Sequence, residues 1–111
     1  MIEVDNQVGD DAAVIRPRGR LTMVVTRQLR TLIDETVQGG RTRIVVALGS
    51  CEFIDSSGLG ALIAGLKTAR QAGGDLRIAG VGAQIATVLR LTNLDRVLRP
   101  HDTVAGALGA G

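Results

Sequence analysis

The residues with chemical capacity concentrate in one stretch, Cys51-Glu52-Phe53-Ile54-Asp55-Ser56-Ser57-Gly58-Leu59-Gly60, where a carboxylate is followed at once by two hydroxyls. An acid beside a hydroxyl suits either an activated nucleophile or a site that accepts a phosphate. The flanking pattern favours the second. Ile44-Val45-Val46-Ala47-Leu48 is an apolar run with the look of a buried strand. Leu59, Leu62, Ile63 and Leu66 recur at i, i+3, i+4 and i+7, the stripe of an amphipathic helix. A polar turn between them aims backbone N–H groups, and the positive end of the helix dipole, at whatever the serines carry. A plainer reading stands beside this one, because Asp and Ser are preferred N-caps and Gly suits tight turns. Two features ask for more than a cap. Three polar residues crowd a site that one would satisfy, and Gly58 and Gly60 in a first turn cost roughly 1 kcal/mol each relative to alanine. Close approach by another chain would explain that cost.

Other chemistries lack their partners. No Gly-x-Ser-x-Gly elbow surrounds Ser56 or Ser57, and the only histidine, His101, sits beside Pro100 near the C-terminus. A serine hydrolase triad is thus an alternative without visible support. The glycines lack the Lys-Ser/Thr of a phosphate-binding loop. Cys51 is the only cysteine, so it forms no internal disulfide, and it has no metal-ligand spacing around it; a buried thiol at a strand end is expected.

Composition narrows the class. The 111 residues suit one domain, and 45% apolar content is that of a globular chain. Phe53 is the only aromatic residue, which counts against a stacking platform for single-stranded nucleic acid. The net charge is +2, with arginines scattered among acids; only Arg16-Pro17-Arg18-Gly19-Arg20 is locally basic, too little for a nucleic-acid footprint. No signal peptide is visible at the N-terminus and no apolar run is long enough to span a bilayer, so a cytoplasmic protein is expected.

Elements that must hold the turn can be placed in order. Ile2 and Val4 predict a short strand, Asn6 to Asp11 a turn, and Ala12 to Arg16 a second strand paired as a hairpin, with Pro17 at its end. Gly19 to Val25 reads as an exposed loop, Thr26 as the N-cap of a helix over about Arg27 to Gln38, and Gly39-Gly40 as its stop. A strand at about Thr42 to Leu48, apolar on both faces, should be covered on both or lie in mid-sheet. A second helix is predicted from about Ser57 to Gln71, ended by a left-handed turn at Gly73-Gly74. A strand at Leu76 to Ala79, a helix at Ala83 to Leu91 followed by a left-handed Asn93, and a short strand at Val97-Leu98 come next. Pro100 to Thr103 then caps a terminal helix through Leu108, with fraying expected over Gly106 to Gly111. The order is β-β-α-β-α-β-α-β-α. It predicts a single small α/β domain over residues 1–111, a mixed sheet of four to five strands with about four helices on one face. Functional groups should gather at the carboxyl ends of its strands.

The segment Phe53-Ile54-Asp55-Ser56-Ser57-Gly58-Leu59-Gly60 resembles the signature of the bacterial anti-sigma factor antagonists of the STAS-domain family. The likeness continues through Gly73-Gly74-Asp75-Leu76 and Val88-Leu89-Arg90-Leu91-Thr92-Asn93-Leu94-Asp95, and so covers most of the chain. The resemblance implies that Ser56, the serine after the aspartate, is phosphorylated by an anti-sigma factor serine kinase using ATP, and that the antagonist itself carries no cofactor. It also implies partner switching. The unphosphorylated protein binds the kinase and frees a sigma factor, the phosphorylated protein does not, and a PP2C-type phosphatase resets it. Asp55, Ser56, Ser57, Gly58, Leu59 and Gly60 would form the partner surface, joined by Arg20 and Thr22. There this chain departs from the family pattern. It reads Gly19-Arg20-Leu21-Thr22 where a Gly-Glu-Leu-Asp-like turn is usual, and it has Asn93 where glycine is frequent. The alternative within the same family is a STAS module of a transporter-associated or stress complex whose Ser56 is never phosphorylated. A monomer or weak dimer is expected, with no enzymatic activity and no direct contact with nucleic acid or membrane.

Overall fold

The computed structural model describes residues 2–109. Strand β1 (Ile2–Asp5) runs antiparallel to β2 (Ala12–Pro17), the predicted hairpin. Strands β4 (Arg43–Ala47), β6 (Asp75–Ala79) and β7 (Pro100–His101) then add in parallel, giving a five-stranded mixed sheet in the order β1-β2-β4-β6-β7. The remaining strands, β3 (Gly19–Leu21) and β5 (Cys51–Ile54), pair in parallel as a separate two-stranded sheet. The helices are α1 (Met23–Gln38), α2 (Ser56–Gln71), α3 (Ala83–Leu91) and α4 (Val104–Gly109).

Alternation along the strands sorts side chains to two faces. Ile15, Ile44, Val46, Leu76 and Ile78 face one way, into a core shared with Leu29 and Ile33 of α1, Leu62 and Leu66 of α2, and Ile85 and Leu89 of α3. Val14, Val45, Ala47 and Ala79 face the other way, against Val104, Ala107 and Leu108 of α4. The strand expected to be covered on both faces or to lie in mid-sheet is covered on both. The expectation of all helices on one face is corrected by α4, which crosses to the far side. Arg43 and Arg77, projecting on that side from β4 and β6, donate to the carbonyls of Leu108 and Ala107, two of the acceptors that the helix end leaves open.

Several boundaries differ from the sequence expectation. Gly19 to Val25 is no exposed loop: Gly19 to Leu21 is strand β3, Leu21 is fully buried, and Thr22 is the N-cap of α1. Thr26 therefore lies within the helix, its N–H donating to the Thr22 carbonyl, and is buried. The chain from Arg43 to Ile54 is two strands, because β4 ends once the Leu48 N–H has donated to the Ala79 carbonyl and a Gly49-Ser50 turn leads into β5. Cys51 accordingly opens β5 instead of closing the strand before it, and remains buried. Val97-Leu98 follows a 3-10 turn at Leu94–Arg96, with Leu98 in the core, and the last strand is Pro100–His101. Thr103 then caps α4 through its hydroxyl, which accepts from the Gly106 N–H. Gly106 to Gly109 is the second half of that helix, not a frayed end; Ala110 and Gly111 lie outside the described residues. Left-handed backbone occurs where expected, at Gly73 and Asn93.

Candidate functional site

The small β3–β5 sheet brings two helix starts together. Each of its strands leads straight into a helix, β3 into α1 and β5 into α2, and the register places Leu21 beside Ile54. Thr22 and Asp55, the two N-caps, follow those paired residues directly. Two helix N-termini therefore emerge side by side from one edge of the fold.

At the second of them, Asp55 caps α2 by accepting from the Gly58 N–H at 2.9 Å, and its same oxygen accepts from the Ser57 hydroxyl at 2.6 Å. Ser57 spends its only hydroxyl hydrogen on that carboxylate. The Thr26 hydroxyl, 3.3 Å from Ser57 Oγ, is then the donor in the contact across from α1. The chain Thr26–Ser57–Asp55 ties the two helices and satisfies the one buried polar side chain of the described core. The Ser57 hydroxyl first, and the Gly58 N–H second, hold the Asp55 carboxyl below its usual range. Burial, the opposite influence, holds the Cys51 thiol above its own, so at neutral pH it is a protonated, inert core group.

Ser56 stands apart from this network. It is the first residue of α2, exposed, and its hydroxyl has no hydrogen bond among the described residues. Gly60, one turn on, is also exposed, with open space where a side chain would project. Gly58 is different. A Cβ there would lie 2.6 Å from Ile54 Cγ1 and 2.9 Å from the Leu21 carbonyl oxygen, so this glycine lets α2 pack beneath β3 of its own chain. Gly58 and Leu59, expected as part of a partner surface, are both buried. Ser57 is half-buried in the cap. Only Gly60 retains the open approach that both glycines were expected to provide.

Arg20 lies on β3, the strand paired with β5, and Thr22 is the N-cap of α1 beside Asp55's helix start. Arg20 is opposite Phe53 in the β3–β5 register, with its guanidinium 4.7 Å from the ring centre, a cation–π contact worth about 0.5–1 kcal/mol at an exposed position. Thr22 is half-buried and makes no side-chain cap bond. Sequence reasoning missed several neighbours. Met23 and Val24, the first residues of α1, are 62% and 72% exposed and form an apolar pair beside the paired helix starts. They were hidden by the assignment of this stretch to a loop. Gln84 of α3 braces the site through its side-chain oxygen, which accepts from the Ile54 N–H; a glutamine on a short helix carried no signal of that role.

The STAS family described as "Mlab, STAS domain" matches residues 4–100 of the chain. The chain belongs to the STAS domain family. Among its relatives is a Thermotoga maritima protein described provisionally as an anti-sigma factor antagonist, 29% identical over 103 residues that cover 92% of this chain and 91% of the relative. The anti-sigma F factor antagonist of Paenibacillus polymyxa is 28% identical over 108 residues, covering 96% of this chain and 91% of its own. The crystal structure of a T. maritima protein with the same provisional description superposes with a TM-score of 0.84 at 27% identity, over 92% of this chain and 88% of that one. This STAS domain thus has the small α/β architecture of its relatives, and no helix among its described residues is long and apolar enough to cross a membrane.

Proposed function

We propose that this STAS domain is an anti-sigma factor antagonist switched by phosphorylation of Ser56. The observation that carries the reading is the contrast between its adjacent serines. Ser57 is locked to Asp55 and Thr26, while the Ser56 hydroxyl is exposed and free at the start of α2. In the phosphorylation step, Ser56 Oγ attacks the γ-phosphorus of ATP held by an anti-sigma factor serine kinase; ADP leaves and the serine proton passes to a base. That base belongs to the kinase, since no side chain of the described residues hydrogen-bonds Ser56. The same observation supports a regulatory protein over a serine hydrolase. The carboxylate that could serve a nucleophile is committed to the helix cap instead.

The phosphate adds about −1.5 to −2 charges at neutral pH, and the α2 N-terminus offsets part of that within the fold. In the middle of an interface the same charge is costly to desolvate. Unphosphorylated protein therefore binds the anti-sigma factor and releases the sigma factor in the cytoplasm; phosphorylated protein is excluded until a PP2C-type phosphatase restores Ser56. Incubation with the kinase and ATP tests this. A single phosphate should map to Ser56, persist in Ser57→Ala, vanish in Ser56→Ala, and Ser56→Asp should bind the kinase more weakly than wild type. Phosphate mapped elsewhere, or Ser56→Asp binding unchanged, defeats the proposal. A second reading, a STAS module of another complex, draws support from Arg20 and Thr22, which stand where the family pattern that the sequence resembles has acids. It predicts no phosphate on Ser56 with any anti-sigma kinase.

A further inference from the structure

The β3 and α1 side of the two helix starts carries arginines. Arg20 is exposed on β3, and Arg27 and Arg30 are exposed on α1. Met23, Arg27 and Arg30 fall at i, i+4 and i+7, one stripe of the helix. Thr26 is one turn from both Met23 and Arg30, so those two flank the point where α1 meets Ser57. On α2, Ser56, Gly60 and Lys67 share an exposed stripe, and the helix contains no acidic residue. The first acids of α1 come only at Asp34 and Glu35. Arg20, Arg27, Arg30 and Lys67 form no ion pair among the described residues. Of the two carboxylates on the β5–α2 segment, Glu52 is exposed on the strand and Asp55 is held in the cap. Beside these arginines lies the exposed apolar pair Met23-Val24.

We infer that this face docks a folded protein partner presenting an apolar centre rimmed by carboxylates, with Met23 and Val24 as the buried anchor and Arg20, Arg27 and Arg30 as the charged rim. The inference rests on the partner-switching reading and specifies the chemistry of the partner's contact surface. It also gives the switch a second mode of action. A phosphate on Ser56 would place its negative charge within the field that attracts the partner's acids, repelling them as well as resisting desolvation. Rim charges of this kind act chiefly on association rate and salt dependence, whereas a buried apolar anchor acts on dissociation.

The test uses the whole chain and each anti-sigma factor serine kinase encoded in the same genome, purified, with binding kinetics measured at low and high salt. The expected result is that one kinase binds wild type, that Arg27→Glu with Arg30→Glu weakens it about tenfold at low salt through slower association, and that Met23→Asp weakens it tenfold or more through faster dissociation. Replacing a carboxylate at the kinase contact with lysine should recover binding by the double variant. These side chains are exposed, and unchanged melting temperatures verify that the variants fold. Binding that ignores the charge reversals while Ser56→Asp abolishes it overturns this inference and leaves the phosphorylation switch standing. Loss on charge reversal with no effect of Ser56→Asp overturns the switch and leaves the acidic partner standing. Three further outcomes overturn the inference: no kinase binds, random duplex DNA binds through the same arginines in their place, or the face closes a homodimer that Met23→Asp dissociates.

Discussion

Two adjacent serines with the same side chain have opposite fates because their positions on one helix turn differ. Ser57 is a structural residue. Ser57→Ala removes the acceptor of the buried Thr26 hydroxyl, and should lower stability by about 1 kcal/mol in urea unfolding, while Ser56→Ala stays within about 0.5 kcal/mol of wild type. Asp55 adds a pH dependence. Its carboxyl is held below the unfolded value, so its contribution is present above the unfolded pKa and lost as pH falls through the folded one. Wild type should therefore lose stability relative to Asp55→Asn as pH falls below the ordinary carboxylate range, which thermal melts across an acid series would show. Cys51, protonated and buried, should resist a thiol-specific reagent at neutral pH in the folded protein and react fully in denaturant. Prompt reaction of the native protein would contradict its place in the core.

Among the elements, the glycines of α2 separate packing from access. Gly58→Ala drives a methyl into Ile54 and the Leu21 carbonyl, and should cost about 1–3 kcal/mol by displacing α2 from β3. Gly60→Ala meets nothing, and should leave stability equal or raise it by up to about 1 kcal/mol through helix propensity. If a partner approaches closely at Gly60, the same variant weakens kinase binding despite its greater stability, a split that paired melting and binding measurements resolve. The β3–β5 sheet makes these effects specific. It holds the starts of α1 and α2 in register, and so places Ser56 on one edge with Arg20 and Met23, though it is far from both in the chain.

For the molecule as a whole, the main sheet divides the core into two faces with separate duties. The face under α1, α2 and α3 supports the candidate site; the face under α4 closes the opposite side. Ala107→Leu in α4 should overpack against Val45 and Ala79, costing about 1–3 kcal/mol, yet leave the rate of Ser56 phosphorylation unchanged at temperatures where the protein is folded. An altered rate in fully folded protein would show that the two faces communicate through the sheet.

Local chemistry made much of this protein legible before folding was considered. The aliphatic periodicity of α2 and α3, the two-faced β4, the left-handed stops at Gly73 and Asn93, and the polar turn at Asp55 to Ser57 each follow from side chains near one another in the chain. The family resemblance followed from the same residues. What the chain order could not reveal depended on partners far away in sequence. Gly19-Arg20-Leu21 is too short and too polar to declare itself a strand, and becomes one only because β5 supplies its hydrogen bonds. Thr26 looked like a cap because its use, a hydroxyl donated to Ser57, requires α2 beside it. Gly58 looked like an invitation to another chain because the atoms it makes room for, in Leu21 and Ile54, meet only in the folded state. The motif Asp55-Ser56-Ser57 was thus written locally, whereas the division within it, Asp55 as cap, Ser57 tied between that cap and Thr26, and Ser56 left exposed, was decided by how two helix starts pack.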